Sequence, residues 1–156
     1  MPLSQTWTVH CDGSAEPNPG RMGMGAVIVA PDGARHTLSL TSSERGCNNE
    51  AELRALLAAL RSLEAAQVDA LQIYSDNSVL VAQLDGHLAQ PPVARLAGLF
   101  DEARALLATF SLPALKWIPR HRNGEADALA RAAIGLPPKP TKMPIQGKAS
   151  RRRRQR

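Results

Sequence analysis

A chain of 156 residues with 44% hydrophobic residues is long enough for one domain with its own core and short for two. Its net charge of +5 is uneven: residues 139–156 hold eight Lys and Arg and no acid, while residues 1–138 hold 11 Lys and Arg against 14 Asp and Glu. Two cysteines, Cys11 and Cys47, make neither a disulfide framework nor a zinc pattern. No apolar run approaches the length of a membrane span, and the first ten residues lack the basic start and apolar stretch of a secretory signal; a cytoplasmic protein with reduced thiols is expected.

From Thr6 to Asp12, "TWTVHCD" alternates polar and apolar residues and predicts a strand. "GSAEPNPGRMG" is rich in Gly, Pro and Asn and predicts a loop. "MGAVIVA" predicts a second strand, "PDG" a turn and "ARHTLSLT" a third strand closing a hairpin. From Asn48 to about Gln67, leucines at 53, 56, 57, 60 and 63 form one stripe of a helix. "LQIYS" at 71–75 predicts a fourth strand, after which Asp76, Asn77 and Ser78 can cap a helix running to about Leu84. "HLAQPP" interrupts it, and residues 93–109 predict another amphipathic helix, apolar at 96, 99, 100, 103, 106 and 107. "ALKWIP" at 114–119 predicts a fifth strand, and a last helix runs from about Asn123 to Ile134, stopped by Gly135 and Pro137. The order β-β-β-α-β-α-α-β-α predicts an α/β fold, a mixed sheet with helices on its faces. Residues 1–136 form the expected domain. Residues 137–156, with prolines at 137, 138, 140 and 144, are expected to be a disordered basic tail that grips polyanions regardless of sequence.

Four acids fall at ends of these elements: Asp12 after the first strand, Asp76 after the fourth, Asp127 in the first turns of the last helix, and a glutamate of "NNEAEL" at the start of the long helix. Ligands of open sheets gather outside the carboxyl ends of strands. Carboxylates brought together there repel one another and call for a cation, and oxygen-only ligands suit Mg²⁺ or Mn²⁺ better than zinc. Helix geometry does not choose between Glu50 and Glu52, which lie on opposite flanks of the leucine stripe.

"CDGSAEPNPG", "GMGAVI", "NNEAEL", "IYSDNS" and "WIPRHRNGEADALA", in this order, resemble type 1 ribonuclease H over about residues 6–135. The resemblance implies the ribonuclease H-like fold, a mixed five-stranded sheet flanked by helices. It also implies endonucleolytic hydrolysis of the RNA strand of RNA–DNA hybrids by two metal ions, Mg²⁺ or Mn²⁺, leaving 5′-phosphate and 3′-hydroxyl ends. Carried over by motif, the metal ligands are Asp12, Glu52, Asp76 and Asp127, with Asp12 bridging both ions; Glu52 is chosen by its place three positions after the Asn pair. His121, after "WIPR", matches a histidine that assists proton transfer, although it lies only six residues before Asp127. Asn18, Asn48, Asn49, Asn77 and Ser78 match loops that contact the RNA strand, whose 2′-hydroxyl distinguishes it from DNA; helix capping is the plain alternative for the Asn pair. The stretch "DGHLAQPPVARLAGLF" holds one Arg and no Trp where many family members carry a basic, Trp-rich protrusion, so tail 139–156 is expected to supply part of the nucleic-acid grip. A monomer is expected. The alternatives are a non-catalytic RNA- or hybrid-binding module on the same fold and a 3′–5′ exonuclease. The second begins with Asp-x-Glu, where this chain has Asp12-Gly13-Ser14.

Overall fold

The computed structural model describes residues 5–85 and 94–140. Strands β1 (Thr6–Glu16), β2 (Gly20–Val29) and β3 (Arg35–Gly46) precede helix α1 (Asn48–Ser62), strand β4 (Ala70–Ser75), helices α2 (Ser78–Leu84) and α3 (Ala97–Leu107), strand β5 (Pro113–Trp117) and helix α4 (Gly124–Ala133). Order and type agree with the sequence pattern. The strands form one five-stranded sheet, β3-β2-β1-β4-β5. The first three are antiparallel neighbours, and β4 and β5 join in parallel. The sheet is therefore mixed, with β1 at its centre. No helix among the described residues is long and apolar enough to cross a membrane.

The leucine stripe of α1 is the inner face of the main core: Leu53, Leu56, Leu57, Leu60 and Leu63 are all buried. They pack with Val9 and Cys11 of β1, Met24, Ala26 and Ile28 of β2, Leu71 and Ile73 of β4, and Leu96, Phe100 and Ala103 at and within α3. The intervening residues of β2 face the other way. Added Cβ atoms at Gly23 and Gly25 would strike the backbone of α4 at Ala130 and Ala126. One sheet face thus carries α1 and α3, and the other carries α4.

The differences from the sequence reading lie at element ends. Most of the expected loop "GSAEPNPGRMG" is strand: β1 and β2 continue to pair at Ser14↔Gly23, Ala15↔Met22 and Glu16↔Arg21. Only residues 17–19 turn. Two glycines of that stretch, Gly13 and Gly23, serve instead as places where a helix lies directly on a strand, while Gly20 packs against Pro17 in the turn. Strand β3 also runs on to Gly46, past a register shift against β2 between Arg21 and Gly23. Helix α1 stops at Ser62, five residues early, in a succession of turns through Ala66. The expected break at "HLAQPP" and the tail beyond Pro140 lie outside the described residues.

Candidate metal centre

Three carboxylates meet at the carboxyl end of the two central parallel strands. Asp12 lies in β1, Glu52 in the second turn of α1 and Asp76 just after β4. One oxygen from each lies within 4.8 Å of the others. Asp12 is the most enclosed, 5% exposed, and its Oδ1 accepts from the Gly13 amide at 2.9 Å. Gly13 also lets α1 approach, since a Cβ there would collide with the backbone of Ala51 and Glu52. The helix carrying Glu52 can therefore rest beside Asp12 with no side chain between them.

The structure also separates the two glutamates that helix geometry left tied. Glu52 is held in the acid cluster by Asn77, whose Nδ2 donates to its Oε2. Glu50 points away. It is a buried group, 4% exposed, paired with Arg54 (2.9 Å) and Arg95. Arg54 reaches on to Glu44 at 2.8 Å. Two guanidiniums offset the cost of burying that charge.

Asp76 is fixed on three sides. Its backbone carbonyl accepts from the Trp117 indole at 3.1 Å, and the following amide, of Asn77, donates to Ser75 Oγ at 3.1 Å. Its carboxylate Oδ2 accepts from Asn123 Nδ2 at 3.1 Å. Asp127, in the first turn of α4, is not one of the three converging carboxylates; Lys139 Nζ lies 3.7 Å from it. Its charge nevertheless acts on Asp12. His121 is exposed on a 3₁₀ turn, Arg120–Arg122, between β5 and α4.

Of the asparagines expected to contact RNA, Asn77 bonds to Glu52 of the cluster and Asn49 to Asn77, and all four have structural partners. Asn18 Oδ1 accepts from the Asn48 amide at 3.1 Å, and Asn48 Oδ1 accepts from the Ala15 amide at 2.8 Å. Asn49 Oδ1 accepts from Asn77 Nδ2 at 2.8 Å. Neither member of the Asn pair caps α1: the N-cap is Cys47, which makes no side-chain cap bond. Asn77 does cap α2, accepting from Leu80 N at 3.0 Å. Ser78 is exposed at the start of that helix. Cys47, unexplained by the sequence, has its Sγ 3.4 Å from Arg95.

Burial pushes the Asp12 carboxyl far above the ordinary carboxylate range, and the charges of Asp76 and Glu52 push it further. Burial raises Glu52 as well, against hydrogen bonds from Asp12 and Asn77 and the nearby Arg120 charge. The metal-free folded protein therefore keeps protons that the unfolded chain loses near pH 4. Its stability is fully present below that range and falls as pH rises through the raised folded values. Thermal melts in EDTA from pH 5 to 9 should show a falling Tm, a flatter slope in Asp12→Asn, and recovery by Mg²⁺ or Mn²⁺ mainly at the alkaline end. Equal slopes for wild type and Asp12→Asn would contradict this. A buried, oxygen-only, like-charged group of this kind suits a hard divalent cation, so the residues present fit the ions expected from the sequence.

Two side chains at the site escaped the sequence reading. Asn123 was assigned only as the start of the last helix; it is 1% exposed and bonded to both β1 and Asp76. Arg120, the last residue of "WIPR", places its charge on Glu52. The one available signal was their position in "WIPRHRNGEAD", between a strand end and an acid on the next helix.

The reverse transcriptase-like family matches residues 10–133. A bifunctional protein of Mycobacterium tuberculosis is 32% identical over 132 residues, which cover 81% of this chain and 35% of that protein. The chain thus spans about a third of the length of its mycobacterial relative. The crystal structure of RNase H1 from the archaeon Halobacterium salinarum superposes with a TM-score of 0.76 at 32% identity, covering 83% of this chain and 97% of that one. LC11-RNase H1, a compost-derived protein solved in complex with an RNA/DNA hybrid, gives a TM-score of 0.74 at 28% identity, covering 82% and 96%.

Proposed function

This chain belongs to the type 1 ribonuclease H family, and we propose that it hydrolyses the RNA strand of RNA–DNA hybrids, leaving 5′-phosphate and 3′-hydroxyl ends. The observation that carries this reading is the convergence of Asp12, Glu52 and Asp76 from three separate elements within that fold. The hybrid bound in the related LC11 structure supports the substrate class.

Asp12, Glu52 and Asp76, with Asp127 beside them, would hold two divalent cations, Mg²⁺ or Mn²⁺. Bound there, the ions supply Lewis acidity to the scissile phosphate and lower the pKa of the attacking water. Asn77 and Trp117 hold Glu52 and the Asp76 backbone in place. Arg120, near Glu52, adds positive charge for the incoming phosphodiester chain. His121 moves a proton during turnover. Asn18, Asn48, Asn49, Asn77 and Ser78 line the approach to the acids and read the RNA strand through its 2′-hydroxyls. Basic residues 139–156 add a grip on the phosphate backbone.

One assay tests the set. Labelled RNA–DNA hybrid, duplex RNA and duplex DNA are incubated with the protein and Mg²⁺, Mn²⁺ or EDTA. Only the hybrid should be cut, and only with a divalent ion. Tight hybrid binding without cleavage would favour the non-catalytic module instead. Run with His121→Ala, the assay should show a rate about 10- to 100-fold lower; a near-normal rate leaves His121 as a surface contact. Hybrid Kd measured for a chain ending at Pro138 over a salt series should be weaker than for the full chain, with a shallower salt slope; unchanged binding and slope remove the role assigned to the tail.

A further inference from the structure

Asn123 lies at the N-terminus of α4 and is 1% exposed. Its Nδ2 donates to the Cys11 carbonyl at 2.9 Å and to Asp76 Oδ2 at 3.1 Å. Both partners only accept, so the amide orientation is fixed: the reverse orientation would set Oδ1 against two acceptors. Oδ1 is buried and has no hydrogen-bond partner among the described residues, a rare condition for a buried acceptor. The side chain thus joins the three elements that carry Asp12, Asp76 and Asp127. A bridge from α4 to the sheet would need only the bond to Cys11. The bond to Asp76 does something more, because tying one carboxylate oxygen fixes where the other points.

We propose that Asn123 is a positioning residue of the metal centre, locking the Asp76 carboxylate in its ligating orientation and presenting its buried Oδ1 as an acceptor for a water held there. This rests on the reading of the acid cluster as a divalent-cation site. Partners one bond removed from a metal commonly set its affinity by one to two orders of magnitude. Asn123 meets Asp76 through its Nδ2, a donor that cannot ligate a cation, and so acts through Asp76.

The test uses the full chain, first without substrate for metal binding and then with hybrid for kcat and KM. Mn²⁺ is titrated into wild type, Asn123→Leu and Asn123→Ser by calorimetry, with the free ion followed by electron paramagnetic resonance, and metal-free melts are recorded alongside. Leucine keeps the volume and removes both donors; serine, smaller, is the variant read if leucine does not fold. The expected result is a Kd for Mn²⁺ about 10- to 100-fold weaker in the leucine variant, with kcat lowered and KM for hybrid within about twofold of wild type. A purely structural asparagine would lower the metal-free Tm and leave the Kd unchanged. A folded Asn123 variant, leucine or serine, that binds Mn²⁺ as wild type does overturns the proposal. If wild type fails to bind Mn²⁺, or Asp76→Asn binds it equally well, the metal-centre reading itself fails.

Discussion

Asp76→Asn is expected to lower hybrid cleavage by about 10³-fold or more, equivalent to about 4 kcal/mol of transition-state stabilisation, without unfolding the protein. Asp76 is one of three oxygen donors within 4.8 Å of one another, and an amide replaces its anionic oxygen with a far poorer ligand for a hard cation. The fold should tolerate the change because the surrounding bonds survive. The Trp117 indole bonds to the backbone of residue 76, and the oxygen of an asparagine can still accept from Asn123. In the metal-free state the substitution should even help, since the Asp76 charge is the strongest of the neighbouring charges acting on Asp12. Melts in EDTA should therefore show a Tm at or above that of wild type, while single-turnover cleavage in Mg²⁺ collapses. Retained Mg²⁺-dependent turnover would remove Asp76 from the ligand set.

Gly13→Ala should damage stability and site together. The new methyl group would meet the backbone of α1 at Ala51 and Glu52 rather than a side chain that could turn aside. The helix must move off the sheet, at a cost of about 3 kcal/mol or more, the upper range for overpacking. Its displacement carries Glu52 away from Asp12, and misplacement by about 1 Å can cost about 10²-fold in rate. Gly98→Ala in α3 is the control: nothing lies within 4 Å of a Cβ there, and helix propensity gains up to about 1 kcal/mol. Chemical denaturation and cleavage well below Tm separate the two effects. If Gly13→Ala matches Gly98→Ala in stability and rate, the close approach of α1 to β1 does not set the Asp12–Glu52 distance.

What could be read in advance divides along the range of the interactions. The α1 stripe was legible because helical periodicity is local, and all five of its leucines are buried. Hairpin, helices and parallel strands followed from equally local patterns. The continuation of β1 and β2 through the glycine-rich stretch was not legible. Glycine is a local sign of a turn, whereas here Gly23 and Gly25 answer to α4, a helix about a hundred residues further along the chain. The acids were identifiable at element ends, but the choice of Glu52 over Glu50 required the order of the motifs. Its physical basis is largely tertiary: Asn77 holds one, and Arg95, with Arg54 one helical turn on, holds the other. Asn123 was missed for the same reason, since its partners, Cys11 and Asp76, are 112 and 47 residues away.

Cation-dependent hydrolysis of the RNA strand of a hybrid is the reaction proposed for this acid cluster. The most direct measurement follows a hybrid labelled on each strand in turn, with wild type and Asp12→Asn, in Mg²⁺ and in EDTA, and identifies the ends of the products. Internal cuts in the RNA strand alone are expected, with 5′-phosphate and 3′-hydroxyl ends, and no cutting by wild type in EDTA or by Asp12→Asn in Mg²⁺. Cleavage that persists in EDTA, or in Asp12→Asn at the wild-type rate, would contradict the proposed reaction.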